Sequence, residues 1–301
     1  MAPAYHPGEL SVQERAGVRE MAARIGRSIG ATIPPVAWNF LRSQPLVVVG
    51  SVDAGQRVWA SLLVGAPGFL HVVDEHTVRI NARPTAGDPL GDNLAANSQV
   101  GLIAIEFATR RRMRLNGRAE VGADGAMTIN AQEVYSNCPK YIQARRWRGR
   151  LLESDSTPVL QRQSTLTRDQ ERWIGDADTF FIASHHPESG TDASHRGGLP
   201  GFVRVLNSHQ LVWPDYSGNT MFQTLGNIAV NPQAGLLFID FKRGRTLQLT
   251  GRARILWDPE HVSEFAGAER LVEFDVDEVI EIDGPHALEW RFLDYSPENP
   301  A

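Results

Sequence analysis

The stretch GLIAIEFATRRRMRLNGRA at residues 101–119 recurs as GLLFIDFKRGRTLQLTGRA at residues 235–253. The two stretches align without a gap at an offset of 134, and 9 of the 19 aligned positions are identical. Average composition gives only about one identity by chance. At the same offset Asn93 matches Asn227 and Asn97 matches Asn231. The sequence therefore predicts a β-rich unit that occurs twice in the chain.

Each copy consists of short apolar runs separated by glycine, proline, asparagine and aspartate. LVVVGSV at 46–52 is typical of the first copy and TFFIAS at 179–184 of the second. This pattern indicates antiparallel strands joined by turns. We expect a mainly β (α+β) fold whose two units pack together as a pseudo-dimer, with ligands between them.

Helical segments are expected before and between the two copies. Ser11 and Glu14 form a capping-box pattern, so we predict an amphipathic helix over 11–29 that the Pro34-Pro35 pair separates from the strands. The predicted divisions are an N-terminal helical segment (1–36), the first copy (37–125), a helical and basic connecting segment (126–176), the second copy (177–260), and a final strand with a C-terminal arm (261–301).

Composition narrows the classes of function. The chain has 30 Lys and Arg residues against 35 Asp and Glu residues, a formal net charge of −5, which argues against a general nucleic-acid or membrane-surface binder. Cys138 is the single cysteine, which excludes an intramolecular disulfide and a multi-cysteine metal site. No apolar run approaches the roughly 18 residues of a spanning helix, so we expect a soluble cytoplasmic protein. P-loop and Gly-x-Ser-x-Gly patterns are missing from the sequence, which argues against nucleotide hydrolysis and serine hydrolase chemistry.

An anion site is predicted in the second copy. The loop PDYSGNT (214–220) brings Ser217 and Asn219 to the start of a predicted helix, where free N–H groups favour an anion. Alternatively, one of these two residues is simply the helix N-cap. Arg196 shares a strand face with Ser194 and could project beside this loop, or could pair with Asp192 at the surface.

Other candidate groups are weaker. Arg245 and Gln248 would flank the junction of the units, with Arg111 and Arg114 at the equivalent positions of the first copy; ordinary strand residues facing water are the alternative. The histidines at 185, 186 and 195 lack the spacing of a metal site, so no metal is predicted. Cys138 lies near Lys140 and could act as a nucleophile, or could be an ordinary buried cysteine.

The motifs SHRGG, PGFVRV, LVWPDYSGN, TLGN, NPQAGLLF and TLQLTGRA resemble the FMN-binding split-barrel family related to pyridoxamine 5′-phosphate oxidase. The resemblance implies two tandem six-stranded split β-barrels with FMN at their interface. It implies that the phosphate and ribityl chain are held by residues from the set Ser194, Arg196, Asp215, Ser217, Asn219 and Thr224. Many members of the family have basic residues in or just after the Gly-Asn loop, where this chain has Thr220 and Met221. We therefore expect Arg196, Arg204 or an arginine of the other barrel to neutralise the phosphate. It further implies that Trp213 and Tyr216 wall the ring, and that Arg245 and Gln248 approach from the adjoining barrel.

The first copy departs from this pattern. Leu63 stands where the second copy has Arg196, and NARPTAGD replaces the PDYSGNT loop, although Arg83 in that loop could substitute. We therefore expect one working cavity per chain.

The resemblance leads us to expect an FMN-dependent oxidoreductase acting on an unidentified small molecule, with Tyr216, His195 and Cys138 as candidates for proton delivery. The alternatives are a non-catalytic protein that binds flavin, deazaflavin or haem, or an interaction protein without cofactor. Whether two chains form a homodimer stays open.

Overall fold

The computed structural model describes residues 4–153, 158–283 and 286–300. Three short helices begin the chain: α1 (Pro7–Arg15), α2 (Arg19–Ile25) and α3 (Pro35–Ser43). The single helix predicted over 11–29 is wrong. His6 is the N-cap of α1 and forms a capping box with Glu9, and Gly17 adopts a positive φ of 70° between α1 and α2. The Pro34-Pro35 pair starts α3, because proline is tolerated at the first helical position.

The first unit is a seven-stranded antiparallel sheet in the order β2-β1-β5-β6-β7-β4-β3, and α4 (Leu90–Ala96) precedes β5. Its strands are β1 (Leu46–Val52), β2 (Val58–Val64), β3 (Leu70–Asp74), β4 (Thr77–Ile80), β5 (Gln99–Glu106), β6 (Arg111–Val121) and β7 (Met127–Ser136).

The second unit repeats this order as β11-β10-β14-β15-β16-β13-β12. Its strands are β10 (Thr179–His186), β11 (Gly190–Gly197), β12 (Arg204–Asn207), β13 (Gln210–Tyr216), β14 (Gln233–Ile239), β15 (Thr246–Leu256) and β16 (Ala268–Asp283). An eighth strand, β9 (Val159–Gln163), pairs with β16, and α6 (Gln223–Val230) occupies the place of α4.

The remaining elements lie outside this repeat. The strands β8 (Ala144–Glu153) and β17 (His286–Asp294) form a separate two-stranded sheet. The helices α5 (Arg168–Asp176) and α7 (Pro259–Val262) precede β10 and β16. Within the described ranges no helix combines the length and the apolarity needed to cross a membrane.

The predicted mainly β fold with two tandem units is confirmed, with two differences. The first sheet has seven strands and the second has eight, whereas six were predicted for each. The seventh strand of each unit in chain order, β7 or β16, also pairs into its sheet, and β9 is the eighth strand of the second sheet. Neither sheet closes. The connecting segment 126–176 is not mostly helical: β7, β8 and β9 lie there, and among its described residues only those of α5 form a helix. In β7 the side chains of Met127 and Ile129 are buried at a spacing of two, which is the period of a strand.

The two units share a core. In β1, Val47 and Val49 pack into the core of the first unit, while Val48 on the opposite face packs with Phe181 and Leu237 of the second unit. Burial on both faces explains why this strand is continuously apolar instead of alternating.

Two repeat-related glycines permit close contact between the units. A Cβ on Gly101 of β5 would lie 2.4 Å from the Asp192 Cα of β11, and a Cβ on Gly235 of β14 would lie 2.7 Å from the Trp59 Cα of β2. No side chain fits either position, so the backbones of the two sheets approach directly. This junction positions the candidate site.

Candidate functional site

A cavity of about 320 Å³ lies where elements of both units meet. From the second unit it is lined by residues of β11, β13, the loop 217–222 and the start of α6. From the first unit it is lined by residues of β6 and of the β7–β8 loop, and Met21 of α2 and its N-cap Val18 complete the lining. The structure therefore brings together Ser194, Arg196, Asp215, Tyr216, Ser217, Asn219 and Thr224, as well as His195 and Cys138.

Three arginines from the two units converge on this cavity: Arg112 and Arg114 of β6, and Arg196 of β11. Burial and the charges of Arg114 and Arg196 lower the pKa of Arg112 to about 9. Burial also lowers the pKa of Arg196, against the opposing effect of Asp215, whose Oδ1 lies 3.8 Å from its Nη2. Crowded cations of this kind favour an anion between them.

The guanidinium groups keep unused hydrogen-bond donors. The Nε atoms of Arg112, Arg114 and Arg196 are buried and have no partner among the described residues. Arg114 is itself held in place by an ion pair with Asp192, which also accepts hydrogen bonds from Tyr135 Oη (3.0 Å) and Thr224 Oγ1 (3.2 Å). An oxyanion ligand would satisfy the unused donors.

His195 is a neutral hydrogen-bond donor in this setting. Burial and the charge of Arg112 keep its pKa well below the ordinary value. Arg112 Nη1 lies 3.1 Å from His195 Nδ1, and a guanidinium can only donate, so the imidazole proton is on Nε2. That Nε2 is buried without a partner in the described part of the chain.

The loop before α6 leaves the helix start uncapped. Thr220 and Phe222 adopt positive φ values of 59° and 61°, and Phe222, the N-cap, makes no side-chain hydrogen bond to the helix. Asn219 Oδ1 instead accepts a hydrogen bond from the Met221 N–H (3.2 Å). The alternative in which Asn219 or Ser217 caps the helix is therefore wrong, and the first N–H groups of α6 stay available.

Two tyrosines form the aromatic side of the cavity. The rings of Tyr216 and Tyr141 lie 5.0 Å apart, and Tyr141 Oη donates a hydrogen bond to the Ser217 carbonyl (2.9 Å). Tyr141 and Cys138 belong to the β7–β8 loop of the first unit, and Cys138 is half-buried. Tyr141 was not named among the predicted site residues, although Cys138 of the same loop was.

Four of the residues predicted to bind the cofactor lie away from the cavity. Trp213 is buried in the core of the second unit against Phe180. Arg204 is exposed and pairs with Glu264. Arg245, in the turn between β14 and β15, pairs with Asp240 and Glu281. Gln248 crosses the junction and donates to the Ala60 carbonyl and to Asp88 Oδ2.

The repeat-related place in the first unit lacks the cavity and its charge. Leu63, Thr246 and Gln248 stand where the cavity has Arg196, Arg112 and Arg114. The space beside Thr246 and Asp88 is only about 20 Å³. Arg83, considered as a substitute, instead donates to the Asp124 carbonyl. Comparing aligned positions 112 and 246 would have identified Arg112, which the sequence analysis did not single out.

Solved structures that match part of this chain include HupZ of Group A Streptococcus, at 14% identity over 40% of this chain and 98% of that chain, with a TM-score of 0.34. A putative pyridoxamine 5′-phosphate oxidase from Lactobacillus delbrueckii has 13% identity, 39% and 98% coverage, and a TM-score of 0.33. The FAD binding protein from Mycobacterium smegmatis has 14% identity, 40% and 99% coverage, and a TM-score of 0.29. No curated protein is matched.

The family described as Pyridoxamine 5′-phosphate oxidase matches residues 33–145 and again residues 166–289. The first match covers the strands β1 to β7 and the second covers β10 to β16. Since these two matches span most of the sequence, the chain belongs to the pyridoxamine 5′-phosphate oxidase family, as its motifs predicted.

Proposed function

We propose that the cavity binds FMN and that the protein is a flavin-dependent oxidoreductase acting on a small molecule. One observation carries the proposal: three arginines from two units meet at an uncapped helix start, and all three have buried Nε–H groups without partners in the described residues. This donor set suits a phosphate ester.

The charge asymmetry between the two repeat-related places supports the same assignment. Arg112, Arg114 and Arg196 have the neutral counterparts Thr246, Gln248 and Leu63. Fold requirements act equally on both units, so they do not account for three guanidinium groups in one place only. A ligand with negative charge does.

The aromatic side of the cavity suits a planar ring. Tyr216 and Tyr141 come from different units, and their rings are in contact. Tyr141 Oη donates a hydrogen bond to the carbonyl of Ser217, the residue after Tyr216, and this bond holds the two rings in place. A bound flavin supplies the redox chemistry, and the protein supplies position, exclusion of water and electrostatics.

The chain's own residues have distinct roles in this proposal. Arg112 and Arg196 bind the phosphate, and Arg114, fixed by Asp192, adds positive charge from the first unit. His195 donates its Nε2 proton as a hydrogen bond and is not a proton source, because its pKa lies well below neutral pH. Tyr216 keeps its proton at neutral pH since burial raises its pKa, so it serves as a donor to the substrate or ring.

The test uses a matched pair of arginines in the second unit. Purified full-length protein is titrated with FMN, and binding is followed by quenching of flavin fluorescence. Arg196→Ala is expected to weaken binding by about tenfold to hundredfold, the value of one or two charge-assisted hydrogen bonds. Arg204→Ala removes the same charge outside the cavity and is expected to bind FMN as the wild type does.

Equal weakening in both variants, or failure of the wild-type protein to bind FMN, would overturn the proposal.

The visible spectrum of the purified protein separates the alternatives. A Soret-type band indicates haem, and a colourless protein whose spectrum FMN does not alter indicates a cofactor-free interaction protein. Turnover is tested afterwards with reduced nicotinamide and pyridoxamine phosphate as trial substrates.

A further inference from the structure

A second cavity lies next to the first and differs from it in charge. Asp192, the ion-pair partner of Arg114, lines it together with Glu9 of α1 and Glu133 of β7, and Gln223 lines both cavities. Its volume is about 310 Å³. Gln132 and Ser189 at its rim are exposed, so it opens to solvent. We call it the acidic pocket.

Two of its carboxylates have no cationic partner. Arg114 pairs with Asp192, whereas His6 is the only ion-pair partner of Glu9 among the described residues, with Glu9 Oε2 3.5 Å from His6 Nε2. Burial lowers the pKa of His6 to about 4, so this imidazole is neutral at physiological pH. Within the described ranges no lysine or arginine forms an ion pair with Glu9 or Glu133.

Asn116, which also lines the acidic pocket, has an unused acceptor. Asn116 is 7% exposed, and its Nδ2 donates to Glu133 Oε2 at 3.0 Å. Its Oδ1 is buried and has no partner among the described residues. A ligand that carries both positive charge and several N–H donors would pair with the two carboxylates and with this buried acceptor.

The acceptors of the acidic pocket favour an ammonium group over a metal ion. In the part of the chain that the structure describes, no three His, Cys, Asp or Glu residues are placed to hold a metal ion. A primary ammonium group, by contrast, has three donors that can reach separate acceptors.

We propose that the acidic pocket binds a small organic cation through a primary ammonium group, held by Glu9, Glu133 and the Asn116 amide oxygen. This site is separate from the proposed flavin site and does not depend on it.

The protonation of Glu9 gives the proposal a pH signature. Burial, with the charges of Glu133 and Asp192, raises its pKa to about 8, and Arg114 opposes this. Tyr5 and His6 on the N-terminal segment also face Glu9, His186 stacks on His6, and the facing residues of α6, Gln223 and Asn227, are uncharged. A proton and an ammonium ion compete for the carboxylate, so binding must strengthen as pH rises through about 8.

The experiment measures putrescine binding to the full-length protein by calorimetry at about pH 7 and about pH 8.5, where a primary amine stays charged. Affinity is expected to rise roughly eightfold at the higher pH, in proportion to deprotonated Glu9. Tetramethylammonium, which has charge without N–H donors, and 1,4-butanediol, which has no charge, are expected not to bind.

Glu133→Gln and Glu9→Gln each keep an acceptor oxygen for the existing hydrogen bonds and are expected to weaken putrescine binding at least tenfold. Glu120→Gln, which removes an exposed carboxylate from β6, is the control and is expected to bind as the wild type does. Thermal unfolding without ligand checks that the variants fold. Wild-type protein that binds putrescine no better than tetramethylammonium, or variants that bind it as the wild type does, would overturn the proposal.

Discussion

Single residues distinguish the two repeat-related places. Position 112 is arginine and its counterpart 246 is threonine, within stretches that otherwise share nearly half their residues. The sequence predicted Arg196 and the loop beside it from local patterns. It could not predict that Arg204 points away from the cavity, because the alternation of a strand determines the face on which a side chain lies and not the residue that it contacts.

Buried and exposed ion pairs in this chain should differ in their effect on stability. Arg145 holds both carboxylate oxygens of Asp178, at 2.5 and 2.6 Å, with both residues buried. Asp178→Ala leaves a buried charge unpaired, and we expect a loss of about 3–5 kcal/mol in the free energy of unfolding. Asp169→Ala removes the partner of Arg172 in an exposed pair and should cost less than about 1 kcal/mol. Urea denaturation checks both, and equal losses would contradict the expectation.

Glu9 should make stability depend on pH. Its pKa is raised from 4.5 to about 8, chiefly by burial, so the folded protein binds this proton more tightly than the unfolded chain does. The stabilising contribution is therefore complete below about pH 4.5 and is lost as pH rises through about 8. Glu9→Gln should remove this part of the pH dependence, so the difference in unfolding free energy between wild type and variant should change over that range. A constant difference would show that Glu9 does not titrate as described.

At the scale of elements, hydrophobic patterning predicted strands more reliably than helices. The apolar runs at 46–52 and 179–184 became β1 and β10, because a run of this length bounded by turns is buried on both faces. The segment 126–176 was expected from its local sequence to be mostly helical. Pairing of β8 with β17, distant in sequence, overrode that local preference.

The junction of the sheets depends on glycine at two repeat-related positions. Gly101→Ala or Gly235→Ala would place a Cβ within 2.7 Å of backbone atoms of the other unit, and the sheets would have to separate. We expect each change to lower the free energy of unfolding by about 1–3 kcal/mol or more. Gly175→Ala in α5 meets no atom within 4 Å and should be neutral or slightly stabilising. Thermal unfolding of the three variants tests this, and similar melting temperatures would argue against a tight junction.

At the scale of the whole molecule, the sequence predicted two units with a working cavity in only one of them, but not which arginines complete that cavity. Alignment of 101–119 with 235–253 shows equivalence, and family resemblance then suggested that Arg245 and Gln248 face the site. The structure places Arg112 and Arg114 there instead, since the cavity on one unit is completed by β6 of the other. Only the packing of the sheets determines which hairpin reaches which cavity.

The proposed function requires one flavin site per chain, built by arginines of both units. The most direct measurement is the stoichiometry of FMN binding by calorimetry, for the wild type and for the Arg112→Thr/Arg196→Leu double variant, which carries the residues of the repeat-related place. We predict one FMN per wild-type chain and at least a hundredfold weaker binding in the variant. Two FMN per chain, or unchanged affinity in the variant, would contradict the account.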